Sequence, residues 1–292
     1  MLNSVRPQML PRYVWWLLED APHGDVTSEA VVPEDAEVEA HVIVEDDSVA
    51  ACVDEALELI TMAGLKARAT VKDGEWVRAG TAAIIIEGNA RRALLIERTL
   101  LNMLTYCFSV ATATKEMVGR ARSVNPRVRV AATRKAPPGL LHLAKKAVVA
   151  GGGDTHRLSL SHMILIKDNH LRIVKDLREA VRKARERAGF TMKVEVEVES
   201  PEDAVLAAEA GADIVMLDNM SPEEVRRAVK LLEERGLRGK VIVEASGGIT
   251  TENVGEYAAT GVDVISSGSL TMNPGYRRVK MEIAKVLWGG HP

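Results

Sequence analysis

Thr133-Arg134-Lys135, His156-Arg157 and Lys167 place four cations and a histidine in three short segments of a chain whose net charge is only −3. Arg offers a planar fork that matches carboxylates and phosphates, and Lys a compact point charge. Such a set suits a small ligand with several negative charges. Acids come next along the chain. Glu195, Glu197 and Glu199 alternate through one extended stretch and so share a face, and Asp218 follows. Carboxylate oxygens of this kind hold Mg²⁺ or sugar hydroxyls. Two glycine loops, Ser246-Gly247-Gly248 and Ser267-Gly268-Ser269, complete the series. Their backbone N–H groups are suited to cradling a phosphate. Each cluster also has a plain structural alternative. A single Lys is often solvated, Glu197 and Asp218 could serve a structural ion pair, and Asn169 and His170 could merely cap a helix that begins near Leu171.

The segments gain meaning from what precedes them. From residue 127 the chain repeats a strand-then-helix cadence, with strands at Arg127–Ala132, Met163–Ile166, Lys193–Val198, Ile214–Leu217, Val241–Glu244 and Val262–Ser266. Most are apolar and β-branched, as strands covered on both faces require. Ser200-Pro201 and Ser221-Pro222 each set a capping Ser before Pro at a first helical position, with an acid three residues after the Ser. Six such units predict a parallel α/β fold, an incomplete barrel of six to seven strands, because right-handed crossovers close that way. The polar clusters fall at the C-terminal ends of the strands, the mouth where barrels place their chemistry.

The first ninety residues read differently. Short strands at Val38–Val44, Ala67–Val71 and Ala82–Ile86, a turn at Asp73-Gly74 and a helix from Cys52 to Ala63 predict an α+β open sandwich. A long helix from Arg91 to about Arg122 connects the halves and offers a dimer surface. The expected domains are therefore 1–112, sandwich plus connector, and 113–275, catalytic barrel. The tail at 276–292 is expected to be a helix that packs back on the sandwich. Hydrophobic residues make up 47% of the 292, enough for a real core. Two cysteines, Cys52 and Cys107, imply no disulfide framework and fit a reducing, cytoplasmic setting. The opening residues lack an apolar leader, no apolar run suits a membrane span, and the small net charge argues against bulk nucleic-acid binding.

In order and spacing, Gly24-Asp-Val-Thr27, Glu97-Arg98…Asn102, Thr133-Arg-Lys135, Gly151-Gly-Gly…His156-Arg157, Ile166-Lys-Asp-Asn-His170, Glu195-Val-Glu197, Leu217-Asp-Asn219, Ala245-Ser-Gly-Gly-Ile249 and Gly261-Val-Asp-Val-Ile265 resemble the decarboxylating quinolinate phosphoribosyltransferase family. The likeness spans nearly the whole chain. It implies transfer of phosphoribosyl from phosphoribosyl pyrophosphate to quinolinate, giving nicotinate mononucleotide, pyrophosphate and CO₂ in NAD biosynthesis. It further implies a homodimer, sometimes a hexamer, in which Arg98 reaches the partner's site.

By the same likeness, Arg134, Lys135, His156, Arg157 and Lys167 bind carboxylates and phosphates, Thr133 belongs to the same set, and the two Ser/Gly loops hold the 5′-phosphate. Glu197 and Asp218 hold ribose hydroxyls and Mg²⁺; together with Lys135 and Lys167 they form the expected catalytic group. Ala136 stands where the family commonly has Thr, and Phe108-Ser109 where a Ser-Gly pair is usual. Two other readings compete: a barrel aldolase with Lys167 as Schiff-base lysine, and a non-catalytic or altered-specificity relative that binds a pyridine carboxylate or oxyanion.

Overall fold

The computed structural model describes residues 10–287; the opening segment and residues 288–292 of the expected terminal helix lie outside the described residues. In chain order the first elements are α1 (Leu10–Asp20), α2 (Val26–Val31), β1 (Glu37–Val44), β2 (Ser48–Val49), α3 (Val53–Met62), β3 (Lys66–Ala69), β4 (Trp76–Val77), β5 (Ala82–Asn89) and the 35-residue α4 (Ala90–Val124). There follow β6 (Arg129–Ala132), α5 (Leu141–Ala150), β7 (Ile164–Ile166), α6 (Asp168–Val174), α7 (Leu177–Arg187), β8 (Val194–Val198) and α8 (Pro201–Glu209). The last are β9 (Ile214–Asp218), α9 (Pro222–Glu234), β10 (Ile242–Ser246), α10 (Val254–Ala258), β11 (Val264–Ser267), α11 (Ser269–Met272) and β12 (Val279–Val286).

Two compact units result. The first takes Met1–Thr112, Pro138–Gly151 and Pro274–Pro292. Helix α5 belongs to it although its sequence lies within 113–275. The unit is built on an antiparallel sheet of order β12-β1-β5-β3, with β2 paired to β4 apart from it. Here the expected terminal helix is corrected. Residues 279–286 form β12, in antiparallel register with β1 from Val44↔Val279 to Val38↔Val286. Val279, Met281 and Ile283 alternate with charged residues, a period-2 pattern, and pairing with the free edge of β1 satisfies backbone groups that a solvated helix would satisfy by itself.

A charged cluster is buried in this unit. Lys146 on α5 contacts Glu55 on α3 at 2.5 Å and Asp73 at 3.4 Å, with Glu55 only 6% exposed at its side chain. Removing one partner of a buried pair strands the other charge. Lys146→Ala is therefore expected to cost about 3 kcal/mol in unfolding free energy. Urea denaturation measures it, and a midpoint equal to wild type would refute the structural role of the pair.

The second unit, Ala113–Pro137 with Gly152–Asn273, holds six parallel strands in the order β6-β11-β10-β9-β8-β7. Helices open where the sequence signals them. Ser200 Oγ accepts from Asp203 N at 3.1 Å, and Ser221 forms a reciprocal capping box with Glu224. A flat sheet would hold its outer strands about 24 Å apart, at ~4.8 Å per strand. Yet residues following both edge strands, β6 and β7, line one cavity of about 400 Å³. The sheet must curl to allow this, which makes it an incomplete barrel. No ladder joins β6 to β7 among the described residues; Asp154, before His156, bridges Ala131 alongside β6.

Candidate active site

Every strand of the curled sheet contributes to that cavity. The stretch after β6 supplies Thr133, Arg134 and Lys135, and the bridging segment supplies His156 and Arg157. β7 brings Leu165 and, at its end, Lys167; β8 brings Glu197 and β9 Met216 and Asp218, followed by Asn219. Ser246, Gly247 and Gly248 of the β10 end and Ser266 of β11 complete the wall.

Strand alternation explains the acids. Val194, Val196 and Val198 are buried on one face of β8, while Glu195, Glu197 and Glu199 run along the other from fully buried to exposed. Glu197 sits at the depth that meets the cavity, where Lys167 ion-pairs with it. Glu195 lies deeper, with no exposure at all.

The cations are crowded. Arg157 is 7% exposed, and burial together with the charge of Arg134 makes its protonated form less favourable than in water. A bound anion would relieve both effects. On the acidic side, burial and then the charge of Glu197 raise the Asp218 carboxyl above its ordinary range. Two carboxylates close enough to repel, on a wall with room for water, fit a hard divalent cation such as Mg²⁺.

Beneath Arg157 lies a buried triad. His156 Nε2 stands 3.2 Å from Glu244 Oε2 and 3.4 Å from Glu195 Oε2. Burial disfavours the charged ring, while the contacts with the two acids act the other way and push its pKa upward. At Nδ1, however, the Arg157 N–H donates at 2.7 Å. A second ring proton has no room there. Burial, with Glu244 beside it, pushes the Glu195 carboxyl upward, against the pull of His156. Glu195 shares its strand face with Glu197, and Glu244 ends the strand Val241–Glu244, but neither is among the substrate or metal ligands expected from the sequence; their inward strand positions are the signal for them.

The glycine loops are braced by their own serines. Ser266 Oγ donates to Ser246 Oγ at 3.0 Å, and Ser267 Oγ donates to the Ile249 carbonyl at 2.6 Å. Ser269 N donates to Ser267 Oγ at 3.1 Å. Ser267, Gly268 and Ser269 are not among the residues that line the cavity. Gly268 packs beneath it instead, where an added Cβ would come 3.0 Å from Lys135 Cδ, and the Thr271 hydroxyl donates to the Lys135 carbonyl. His170 takes the capping role: its Nδ1 accepts from Lys167 N at 2.9 Å. Arg98 belongs to α4 in the first unit and is not a lining residue. Ser109, at one of the departures from the family pattern, is buried and accepts from Arg277 N at 2.9 Å, so its hydroxyl is used structurally.

A larger cavity of about 690 Å³ lies in the first unit, walled by Asp25, Glu29, Glu34, Glu37 and Glu87 with Lys66, Arg91 and Arg92. Arg91 is spent on the carbonyls of Val32 and Glu29, and Asp25 caps α2. Chemistry converges in the smaller one.

Comparison with known proteins agrees with this geometry. The family model described as quinolinate phosphoribosyl transferase, N-terminal domain, matches residues 25–108, and its C-terminal counterpart matches residues 110–278. A probable nicotinate-nucleotide pyrophosphorylase (carboxylating) of Methanothermobacter thermautotrophicus is 48% identical over 252 residues, covering 86% of this chain and 90% of that protein. The crystal structure of NadC from Streptococcus pyogenes superposes with a TM-score of 0.85 at 32% identity, covering 94% of this chain and 95% of that one. The nicotinate-nucleotide pyrophosphorylase from Francisella tularensis gives a TM-score of 0.85 at 33% identity, covering 93% and 94%.

Proposed function

We infer, from the fact that this chain belongs to the quinolinate phosphoribosyl transferase family, that its cavity joins quinolinate to 5-phosphoribosyl 1-pyrophosphate and releases pyrophosphate and CO₂. The product is nicotinate mononucleotide, for NAD biosynthesis. One observation carries the reading: Arg134, Lys135, Arg157 and Lys167 converge on a single cavity whose opposite wall holds Glu197 and Asp218. A dicarboxylate and a phosphorylated sugar are the charged pair this arrangement suits.

The chemistry asks little of the protein beyond orientation and charge. The quinolinate ring nitrogen attacks the anomeric carbon of the ribose as the bond to pyrophosphate breaks; that nitrogen becomes cationic. The bond to the adjacent carboxylate then breaks to release CO₂, its electron pair staying on the ring carbon beside the cationic nitrogen, and that carbon takes a proton from solvent. No general base is needed. Holding two reactants in line is worth roughly 7–11 kcal/mol in favourable cases. Arg157 and Arg134 would fix the carboxylates, Lys135 and Lys167 the phosphate oxygens, and Gly247 and Gly248 would leave backbone N–H groups open to the 5′-phosphate. Mg²⁺, held with the substrate by Glu197 and Asp218, would neutralise charge on the leaving pyrophosphate. Lys167 is engaged in an ion pair with Glu197, which counts against a Schiff-base lysine.

The same proposal includes a cytoplasmic homodimer, or a hexamer built from three such dimers, in which Arg98 enters the partner's cavity. The decisive assay is incubation with quinolinate, phosphoribosyl pyrophosphate and Mg²⁺. Expected products are CO₂ and nicotinate mononucleotide in equal amounts. Stripping divalent cations with EDTA is expected to cut turnover by roughly a hundredfold, restored by added Mg²⁺. Unchanged turnover after stripping would remove Glu197 and Asp218 from the metal role.

A further inference from the structure

His156 is a strained residue held at both ring nitrogens. Its φ is +51°, in the left-handed region that side chains rarely adopt, and such conformations persist where surrounding contacts enforce them. The Arg157 N–H meets its Nδ1 at 2.7 Å. A backbone amide can only donate, so Nδ1 carries the lone pair and the ring proton lies on Nε2. Nε2 faces Glu244 Oε2 at 3.2 Å and Glu195 Oε2 at 3.4 Å. These acids, Glu244 and Glu195, are 2% and 0% exposed, and among the described residues both Glu195 oxygens and Glu244 Oε1 lack a hydrogen bond of good geometry. Buried carboxylate oxygens left in this state are costly unless something requires them.

We propose that Glu244 and Glu195 are positioning residues: Glu244 takes the Nε2–H of His156, Glu195 faces the same nitrogen from farther off, and together they hold the ring as acceptor for the Arg157 amide and so set where the Arg157 guanidinium enters the cavity. His156 then has no N–H left for a ligand. It serves the dicarboxylate through Arg157, and the expectation of direct binding by His156 gives way to an indirect role. The three groups also have the ligand types of a divalent-cation site, their candidate donor atoms lying within 4.8 Å of one another. An ion there would need the Nε2 lone pair, which this tautomer does not supply, and Arg157 adds a repelling charge nearby.

The consequence for catalysis rests on the quinolinate reading; the ring geometry does not. The test therefore has two arms. In ¹⁵N-histidine-labelled protein, long-range ¹H–¹⁵N spectra should show His156 with a bare Nδ1 and a protonated Nε2, in wild type and in Glu244→Gln, which keeps an acceptor. Glu244→Leu, which removes it, should raise the KM for quinolinate about tenfold while that for phosphoribosyl pyrophosphate stays within about twofold, and Glu244→Gln should restore it. A proton on Nδ1, or on both nitrogens, overturns the proposal, as does a change in the ring nitrogens on adding Zn²⁺. Equal rises in both KM values, or no rise, overturn it too. Should wild-type protein form no nicotinate mononucleotide, the functional reading falls, while the nitrogen spectra still decide the positioning.

Discussion

Replacing Arg157 by alanine is expected to lower kcat/KM for quinolinate roughly a thousandfold, ~4 kcal/mol of transition-state stabilisation. The guanidinium is buried beside Arg134 and lines the cavity with its planar fork, where water competes poorly for a bound carboxylate. Its charge also offsets Glu195 below. The chain should nonetheless fold, because His156 still faces both acids when the side chain is gone. Arg157→Lys keeps the charge and loses the fork, so it should recover only part of the rate. Thermal melting gives a second measure. Saturating quinolinate should raise the wild-type melting temperature by mass action and leave that of Arg157→Ala unmoved. Near-normal rates in the alanine variant would end the assignment.

Gly247→Ala should raise the KM for phosphoribosyl pyrophosphate roughly a hundredfold, ~3 kcal/mol, from strain concentrated at one loop. Gly247 has φ +92°, and a Cβ there would lie 2.6 Å from the backbone N of Asn219 and press on its side-chain amide. Asn219, itself at φ +55°, donates from its backbone to the Ser246 carbonyl at 2.9 Å and from Nδ2 to Asp218 Oδ2 at 2.6 Å. One methyl group would thus disturb the glycine loop and the acid on the neighbouring strand together. Gly248 provides the control. It also has positive φ, but no atom lies within 4 Å of an added Cβ. Gly248→Ala should therefore cost about tenfold, from backbone conformation alone. Steady-state kinetics with varied phosphoribosyl pyrophosphate separates the two, and equal effects would show that the Asn219 contact is not what matters.

Much of the site was legible because barrel geometry turns sequence position into spatial position. A polar residue just after a buried strand must emerge at the mouth, so Arg134, Lys135, Lys167, Asp218 and Gly247 could be placed by counting strands. Period-2 alternation likewise put Glu195, Glu197 and Glu199 on one face. Alternation carries no depth, however, and could not say that Glu195 is sealed below while Glu197 meets the cavity. Ser267 and Ser269 show the same limit. Their composition reads as a phosphate loop, but their hydroxyls go to Ile249 and to each other.

The tail illustrates a different failure. Residues 279–286 could be read as a helix or as a strand from their pattern, and the unpaired edge of β1, more than 230 residues earlier in the chain, decides in favour of a strand. By itself, then, the sequence determined the parallel strand cadence, the charged mouth and the family. Hydrophobic period, capping residues and turn glycines act locally and can be read locally. Only the tertiary structure decided which acids face His156, which carbonyl the Ser267 and Ser269 hydroxyls reach, and how the last strand docks. Those outcomes depend on distances between chain segments far apart in sequence, and no local pattern encodes them.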